Sequence, residues 1–326
     1  MDAVTGATGL LGNALVRELE LRGKKVRAIV RPTSKIACLN GCGAEIVYGD
    51  VLDYKSLIAA FYGIETVYHL ASEVSIMPGS NKKLQEINLK GTENVINACL
   101  ETGVKKLVYT SSIHAFKEQN GSRIVDESLS FDPKSSMGLY NRTKAQASIY
   151  VAQAAKKGLD TYILCPTAII GPYDFKVSNL GSVFIQYCNR RQKIIIDGAY
   201  DFVDVRDVAA GHILAAEKGK PGEAYILSGH RLTINELMKQ LETITGITAP
   251  KFKFPYWLAM AVAFVSPVYY KLSGSKPIFT VFSLKTVKSN SFISHEKASS
   301  QLGYCPRPIR QTLEENIKWF KDNDYL

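Results

Sequence analysis

The sequence predicts an α/β protein: a doubly wound parallel sheet followed by a smaller, mostly helical carboxyl-terminal region. Three observations carry that expectation. Strand-like runs alternate with amphipathic helical stretches through the first half, a glycine-rich turn joins the first strand to the first helix, and after Pro166 the chain breaks into short, proline-punctuated pieces.

The strand-like runs are DAVT (2–5), KVRAIVR (25–31), AEIVYGD (44–50), TVYHLAS (66–72), KLVYTSS (106–112) and DTYILCP (160–166). Most are rich in β-branched or aromatic residues and lack polar alternation, the pattern of strands buried on both faces. Between them, Leu11-Leu15-Leu19 and Leu84-Ile87-Val95-Cys99 mark apolar helix faces. Alternating β and α at this spacing implies right-handed crossovers, with ligands gathered at the carboxyl ends of the strands. Beyond Pro166, Gly171-Pro172, a loop around 179–181, Pro250, Pro255, Pro267 and Pro277 interrupt the rhythm. The stretch from Phe202 to Lys218 ends in a helix that returns to the sheet. The expected division is therefore 1–172, with about 201–228 returning to it, and 173–326.

A chain of 326 residues is long enough for a sizeable core. The net charge of +10 is scattered over pairs such as Lys82-Lys83, Lys105-Lys106, Lys156-Lys157 and Arg190-Arg191. Such a surface favours phosphorylated ligands or acidic membranes, and with no basic run interleaved with aromatics it argues against nucleic acid. Six cysteines without a C-x-x-C pattern read as reduced thiols in a cytoplasmic protein, and no metal site is expected. A signal peptide is not expected, because a glycine-rich turn is reached by residue 6. The apolar run within 255–267 is too short to span a bilayer. It reads as a helix roofing an apolar pocket, with peripheral membrane contact as the alternative.

The most informative local pattern is Thr5-Gly6-Ala7-Thr8-Gly9-Leu10-Leu11-Gly12, directly after a strand and opening a helix. Chance supplies such a pattern about 0.01 times per chain of this composition. Its glycines let the backbone turn tightly and approach a pyrophosphate, which then sits on the helix amino end. Arg31 stands at the end of the second strand, where an acidic residue would grip a free ribose hydroxyl and Arg accommodates a 2′-phosphate. With Lys35 nearby, this predicts NADP in preference to NAD. Asp50, closing the third strand, is placed to accept from the adenine amino group.

Tyr140 and Lys144, in GLYNRTK, have the spacing of neighbours on one helix face. Chance supplies about one Tyr-x-x-x-Lys in a chain this rich in both residues, so its weight comes from position. It follows Tyr109-Thr110-Ser111-Ser112, which closes the fifth strand and would face the same crevice. Moving a phenol from a pKa near 10 to about 7 takes roughly 4 kcal/mol, and an ammonium about 5 Å away supplies roughly 3 kcal/mol of it. The pair could thus pass a proton at neutral pH, an oxidised nicotinamide contributing the remainder.

Together, TGATGLLG, Asp50, HLAS (69–72), TSS (110–112), YNRTK (140–144) and CPTAIIGP (165–172) resemble the extended short-chain dehydrogenase/reductases, most closely the dihydroflavonol reductase and 3β-hydroxysteroid dehydrogenase-like members of the NAD-dependent epimerase/dehydratase family. The resemblance covers most of residues 1–230 and implies a Rossmann-type sheet with a carboxyl-terminal substrate-binding region. It implies Tyr140 as general acid/base, Lys144 on the nicotinamide ribose and Ser112 on the substrate oxygen. It further implies Gly6, Thr8, Gly9, Leu10, Leu11 and Gly12 around the pyrophosphate, Asp50 and Val51 at the adenine, Leu70, Ala71 and Ser72 along the cofactor path, and Asn88 and Pro166 beside it. A homodimer through sheet helices is open.

Two departures bear on the substrate. Nucleotide-sugar epimerases carry Arg before a run like Asp201-Phe202-Val203-Asp204-Val205, where this chain has Tyr200, and Asn after the sixth strand, where it has Pro166-Thr167. The expected activity is therefore an NADP(H)-preferring oxidoreductase that interconverts a ketone and a secondary alcohol on a small, less polar substrate. A nucleotide-sugar epimerase or dehydratase and a non-enzymatic NADP-binding sensor are the alternatives.

Overall fold

The β-branched runs of the first half form parallel strands. In the computed structural model, which describes residues 1–74, 81–119, 123–273, 280–289 and 291–326 (267–273 by backbone alone), the strands are β1 (Asp2–Thr5), β2 (Val26–Val30), β3 (Glu45–Tyr48), β4 (Thr66–His69), β5 (Lys106–Thr110), β6 (Asp160–Pro166), β7 (Ala168–Ile170), β8 (Ile194–Ile195), β9 (Ala199–Asp204), β10 (Ala224–Leu227), β11 (His230–Thr233) and β12 (Phe252–Lys253). The helices are α1 (Leu10–Leu21), α2 (Tyr54–Phe61), α3 (Lys82–Gln85), α4 (Gly91–Thr102), α5 (Leu139–Ala155), α6 (Asn179–Cys188), α7 (Val205–Lys218), α8 (Ile234–Thr245), α9 (Tyr256–Ser273), α10 (Val281–Lys288), α11 (Glu296–Leu302) and α12 (Ile309–Asp322).

Seven strands form one parallel sheet in the order β10-β6-β5-β4-β1-β2-β3. The six expected strands are all in it, and β10 is a seventh, paired with β6 so that Leu227 lies opposite Pro166. Successive residues of a strand enter opposite cores, as the period of two requires. Val4, Val108 and Leu164 pack with Leu15, Leu19 and Ile213 of α1 and α7, while Ala3, Leu107 and Ile163 pack with Leu57, Val95 and Val151 of α2, α4 and α5. Strand order reverses between β1 and β4, which opens a crevice at their carboxyl ends.

The apolar stretch around 84–99 is not one regular helix. A π-helical turn, Glu86–Lys90, separates α3 from α4. Such insertions are frequent at functional sites, and this one carries Asn88.

After β7 a second core forms. β9 joins β7 in parallel and β11 antiparallel, and Phe184, Tyr187, Phe202, Leu237, Leu313 and Phe320 pack around them. On α9, Ala259 and Ala263 pack against Leu284 of α10, whereas Trp257 is 72% exposed and Phe264 82%. No described helix is long and apolar enough to cross a membrane. The side chain of Pro267, which ends the 255–267 run, and the whole of Pro277 lie outside the described residues.

Candidate active site

The site begins at the turn between β1 and α1. Gly6 has φ +73°, and a Cβ there would lie 2.7 Å from the Ala71 nitrogen; one on Gly12 would lie 2.2 Å from the Gly6 oxygen. No side chain fits at either position, so backbone closes directly on backbone. Gly9 caps α1 without a side-chain hydrogen bond, leaving the amino end of the helix to an external anion. This cradle, which any Cβ would fill, fits the phosphates of a dinucleotide. Leu10 and Leu11 start the helix, and Thr8 is buried beside it, its hydroxyl accepting from Lys176 Nζ at 2.8 Å.

A buried relay holds the turn to its neighbours. The Thr92 hydroxyl donates to the Asn88 carbonyl oxygen at 2.8 Å, so it accepts from His69 Nε2 at 3.2 Å. His69 Nδ1 then accepts from the Thr5 hydroxyl at 2.8 Å, and Thr5 in turn accepts from the Ala71 N–H at 3.3 Å. Burial and the Lys144 charge hold the His69 pKa down at about 3, so the ring is neutral and its tautomer fixed. Asn88 spends its side chain on the same framework. Its Oδ1 accepts from the Ser72 hydroxyl and the Glu73 N–H, and its Nδ2 donates to Glu73 O and Thr143 Oγ1. It thereby ties the segment after β4, with Leu70, Ala71 and Ser72, to α5.

The remaining expected cofactor residues lie around the same crevice. Arg31 and Lys35 are exposed beyond β2. Asp50 turns one carboxylate oxygen back onto Leu52 N–H at 2.9 Å, Val51 packs against Gly91, and Pro166 closes β6.

At the end of β5, three hydroxyl residues point three ways. Thr110 Oγ1 donates to His212 Nε2 at 2.7 Å; His212 Nδ1 must carry the proton, because it faces the Val208 carbonyl oxygen at 2.8 Å. Ser111 Oγ pairs with Ser148 Oγ at 2.6 Å. The Ser112 hydroxyl accepts from His114 N–H at 3.2 Å and also reaches the Tyr140 phenol, a contact that favours the ionised form. Burial outweighs that contact and pushes the Tyr140 pKa up.

Lys144 behaves differently from the sequence expectation. It is 3% exposed, and its Nζ donates to the Thr110 carbonyl oxygen at 2.7 Å and to the Tyr109 hydroxyl at 3.4 Å, with the Tyr109 ring centre 4.9 Å away. Burial lowers its pKa to about 7. The downward pull on the phenol thus comes from Ser112, while Lys144 is anchored one strand residue deeper.

Beside this pair opens a cavity of about 880 Å³. Ile113 and Asn141, the neighbours of Ser112 and Tyr140, line it, though Ser112 and Tyr140 themselves do not, and Phe116, Ile194, Leu237 and Phe282 are among its apolar walls. Asn141 is 2% exposed, and its Oδ1 has no hydrogen-bond partner among the described residues. Tyr200 also lines the cavity; its hydroxyl donates to Ser283 O at 3.4 Å, and burial pushes its pKa up to about 12. Asp201 is occupied structurally, accepting from Thr167 Oγ1 at 2.7 Å and Gly229 N at 2.8 Å.

Sequence reasoning missed His69, Tyr109, Asn141 and Lys176 as site residues. Asn141 stands within the GLYNRTK stretch and His69 within HLAS, so both were in view without an assigned role. Tyr109 and Lys176 owe their places to partners 35 and 168 residues away, which no local pattern reports.

A model of the NAD-dependent epimerase/dehydratase family matches residues 3–228. The chain is 35% identical over 327 residues to a sterol demethylase protein B of Methylococcus capsulatus, covering 99% of both chains. It is 31% identical to a putative dihydroflavonol 4-reductase of Synechocystis sp., covering 99% of this chain and 95% of that one. Among solved structures, gox2253 superposes with a TM-score of 0.88 at 32% identity, covering 100% of this chain and 99% of the other. The chain belongs to the NAD-dependent epimerase/dehydratase family and is an oxidoreductase of the extended short-chain dehydrogenase/reductase type.

Proposed function

We propose that the chain is an NADP(H)-preferring oxidoreductase that interconverts a ketone and a secondary alcohol on a largely apolar substrate. In this reading residues 1–172, with about 201–228, carry the cofactor, and the rest of 173–326 encloses the substrate. The observation that carries it is the meeting of Ser112 and Tyr140, whose chain neighbours Ile113 and Asn141 line an apolar-walled cavity of about 880 Å³.

The nicotinamide, when bound, supplies or accepts the hydride at the carbonyl carbon. The Ser112 hydroxyl donates to the substrate oxygen and fixes it near the phenol. Tyr140 Oη gives its proton to that oxygen during reduction and takes it back during oxidation. Because burial raises its pKa, Tyr140 is held protonated at neutral pH, as a donor in ketone reduction must be. Lys144, anchored on Thr110 O, would hold the nicotinamide ribose through its amine. The Gly6–Gly12 turn holds the pyrophosphate, and Arg31 with Lys35 favours a 2′-phosphate over a free ribose hydroxyl.

The cavity walls favour this reading over nucleotide-sugar epimerisation. A sugar diphosphate would need polar partners at Tyr200 and Pro166-Thr167, where the chain offers a neutral phenol and a threonine already bonded to Asp201. Compounds of the sterol or dihydroflavonol kind, named in two of the relatives, suit such walls. The purified chain, assayed by nicotinamide absorbance against sterol ketones, flavonoid ketones and sugar nucleotides, should consume NADPH with an apolar ketone. Turnover of a sugar nucleotide without added reduced cofactor would instead establish the epimerase chemistry.

A further inference from the structure

Lys176 stands where the loop after β7 crosses the glycine turn. Its Nζ donates to Thr8 Oγ1 at 2.8 Å, joining the two segments across the crevice. The loop is braced on each side of it. The Arg17 guanidinium lies 5.0 Å from the centre of the Tyr173 ring, and the Tyr325 hydroxyl donates to Phe175 O at 3.0 Å. Asp174, buried, accepts from both Ser178 N and Ser178 Oγ. The backbone is left-handed at Tyr173 (φ 75°) and at Val177 (φ 43°), a conformation that costs a β-branched residue of order 1–3 kcal/mol and persists where surrounding contacts over-determine it. These contacts hold Lys176 in one place over the turn.

Its electrostatic surroundings are those of an anion site. Burial and the like charge of Arg31 both disfavour the ammonium, while Cys38 acts in the opposite sense. Two cations are thus brought close enough to repel beside the amino end of α1, whose first turn carries no acidic side chain. An anion between them would relieve that repulsion and meet the helix dipole.

We propose that Lys176 is a phosphate-binding residue of the dinucleotide site, reaching from the substrate-side loop to a phosphate of the cofactor seated on the Gly6–Gly12 turn. This rests on reading that turn as a dinucleotide site, and it stands whether or not NADP is preferred. Asn179, where the same loop enters α6, lines the cavity, so cofactor binding would also fix one wall of the substrate site.

The test is calorimetric binding of NADPH, NADH, 2′,5′-ADP and ADP to the full-length wild type, Lys176→Ala and Lys176→Arg. A charge-assisted hydrogen bond is worth roughly 1.5–3 kcal/mol, so Lys176→Ala should weaken binding about 10- to 100-fold and Lys176→Arg should restore most of it. Equal loss for all four assigns the adenosine 5′-phosphate, the one phosphate they share, and loss for NADPH, NADH and ADP but not 2′,5′-ADP assigns the second phosphate of the pyrophosphate; loss confined to NADPH and 2′,5′-ADP would move Lys176 to the 2′-phosphate and overturn its place on the turn. Affinities within about threefold of wild type for all four ligands in Lys176→Ala overturn the proposal. The wild-type ratio of NADPH to NADH affinity separately tests the cofactor preference, and a wild type that binds none of the four removes both.

Discussion

Lys144 donates its shortest hydrogen bond to the carbonyl oxygen of Thr110, 2.7 Å away in the sheet, and not to the phenol of Tyr140 on its own helix. The lysine is thus part of the wall behind the reacting groups. Its buried ammonium is costly, which is why its pKa falls to about 7 from the usual lysine value of 10.5.

That shift sets a pH dependence. Between about pH 7 and 10.5 the unfolded chain keeps the Lys144 proton and the folded chain releases it, so this residue makes stability rise with pH across that window. The slope is at most about 1.4 kcal/mol per pH unit. Urea melts of wild type and Lys144→Met from about pH 7 to 8.5 should show the rise in wild type only. Parallel curves would mean that Lys144 is not charged in the unfolded chain alone.

His69 and His212 set the opposite limb. Both are fully buried and neutral, with pKa values lowered to about 3 and about 4. His114, its pKa also lowered to about 4 by burial, adds a third site, so below pH 6.5 the unfolded chain takes up three protons that the fold refuses and stability falls as pH drops toward about 4, by up to about 4 kcal/mol per pH unit. Melts at about pH 7 and 5 check this; equal midpoints would contradict it.

Arg31→Asp should reverse the cofactor preference. Replacing a cation by a carboxylate repels a 2′-phosphate and offers an acceptor to a free ribose hydroxyl. Affinity for NADPH should fall at least about tenfold and that for NADH should hold or rise, read by calorimetric titration. Unchanged affinities for both would remove Arg31 from the site.

Asn141→Leu probes the inner end of the cavity. Because Asn141 Oδ1 is buried without a partner among the described residues, an apolar replacement of similar size should leave Tm nearly unchanged. If that amide faces a polar group of the substrate, KM should rise about 5- to 10-fold with kcat little altered. An unchanged KM for every accepted ketone would place the amide away from the substrate.

Much of this architecture is legible in the chain. Most of the six strands announce themselves as β-branched or aromatic runs buried on both faces, the edge strand β3 being only partly buried, and the Thr5–Gly12 turn carries its own geometric reason, since neither Gly6 nor Gly12 has room for a Cβ. Tyr140 and Ser112 could be paired because each follows a recognisable element. The rest depends on distant partners. β10, AYIL, is no shorter than β1, β3 or β4, but it stands outside their run of alternating elements, within the 201–228 stretch expected to return to the sheet domain, and only β6 shows where it pairs. The π-helical turn at Asn88 hides in an apolar pattern that a regular helix would satisfy equally well. Helical spacing sets Lys144 against Tyr140, but Thr110 O competes for its ammonium from a strand 34 residues earlier and holds it at 2.7 Å.

The central claim, proton transfer by Tyr140 to a ketone oxygen held by Ser112, is tested most directly by single-turnover reduction of an accepted ketone with Tyr140→Phe, cofactor and substrate both saturating. Such a proton transfer contributes about 10²–10⁴-fold, so the rate of NADPH oxidation should fall by that factor while NADPH affinity stays within about threefold of wild type. A Tyr140→Phe rate above roughly a tenth of wild type would contradict the account.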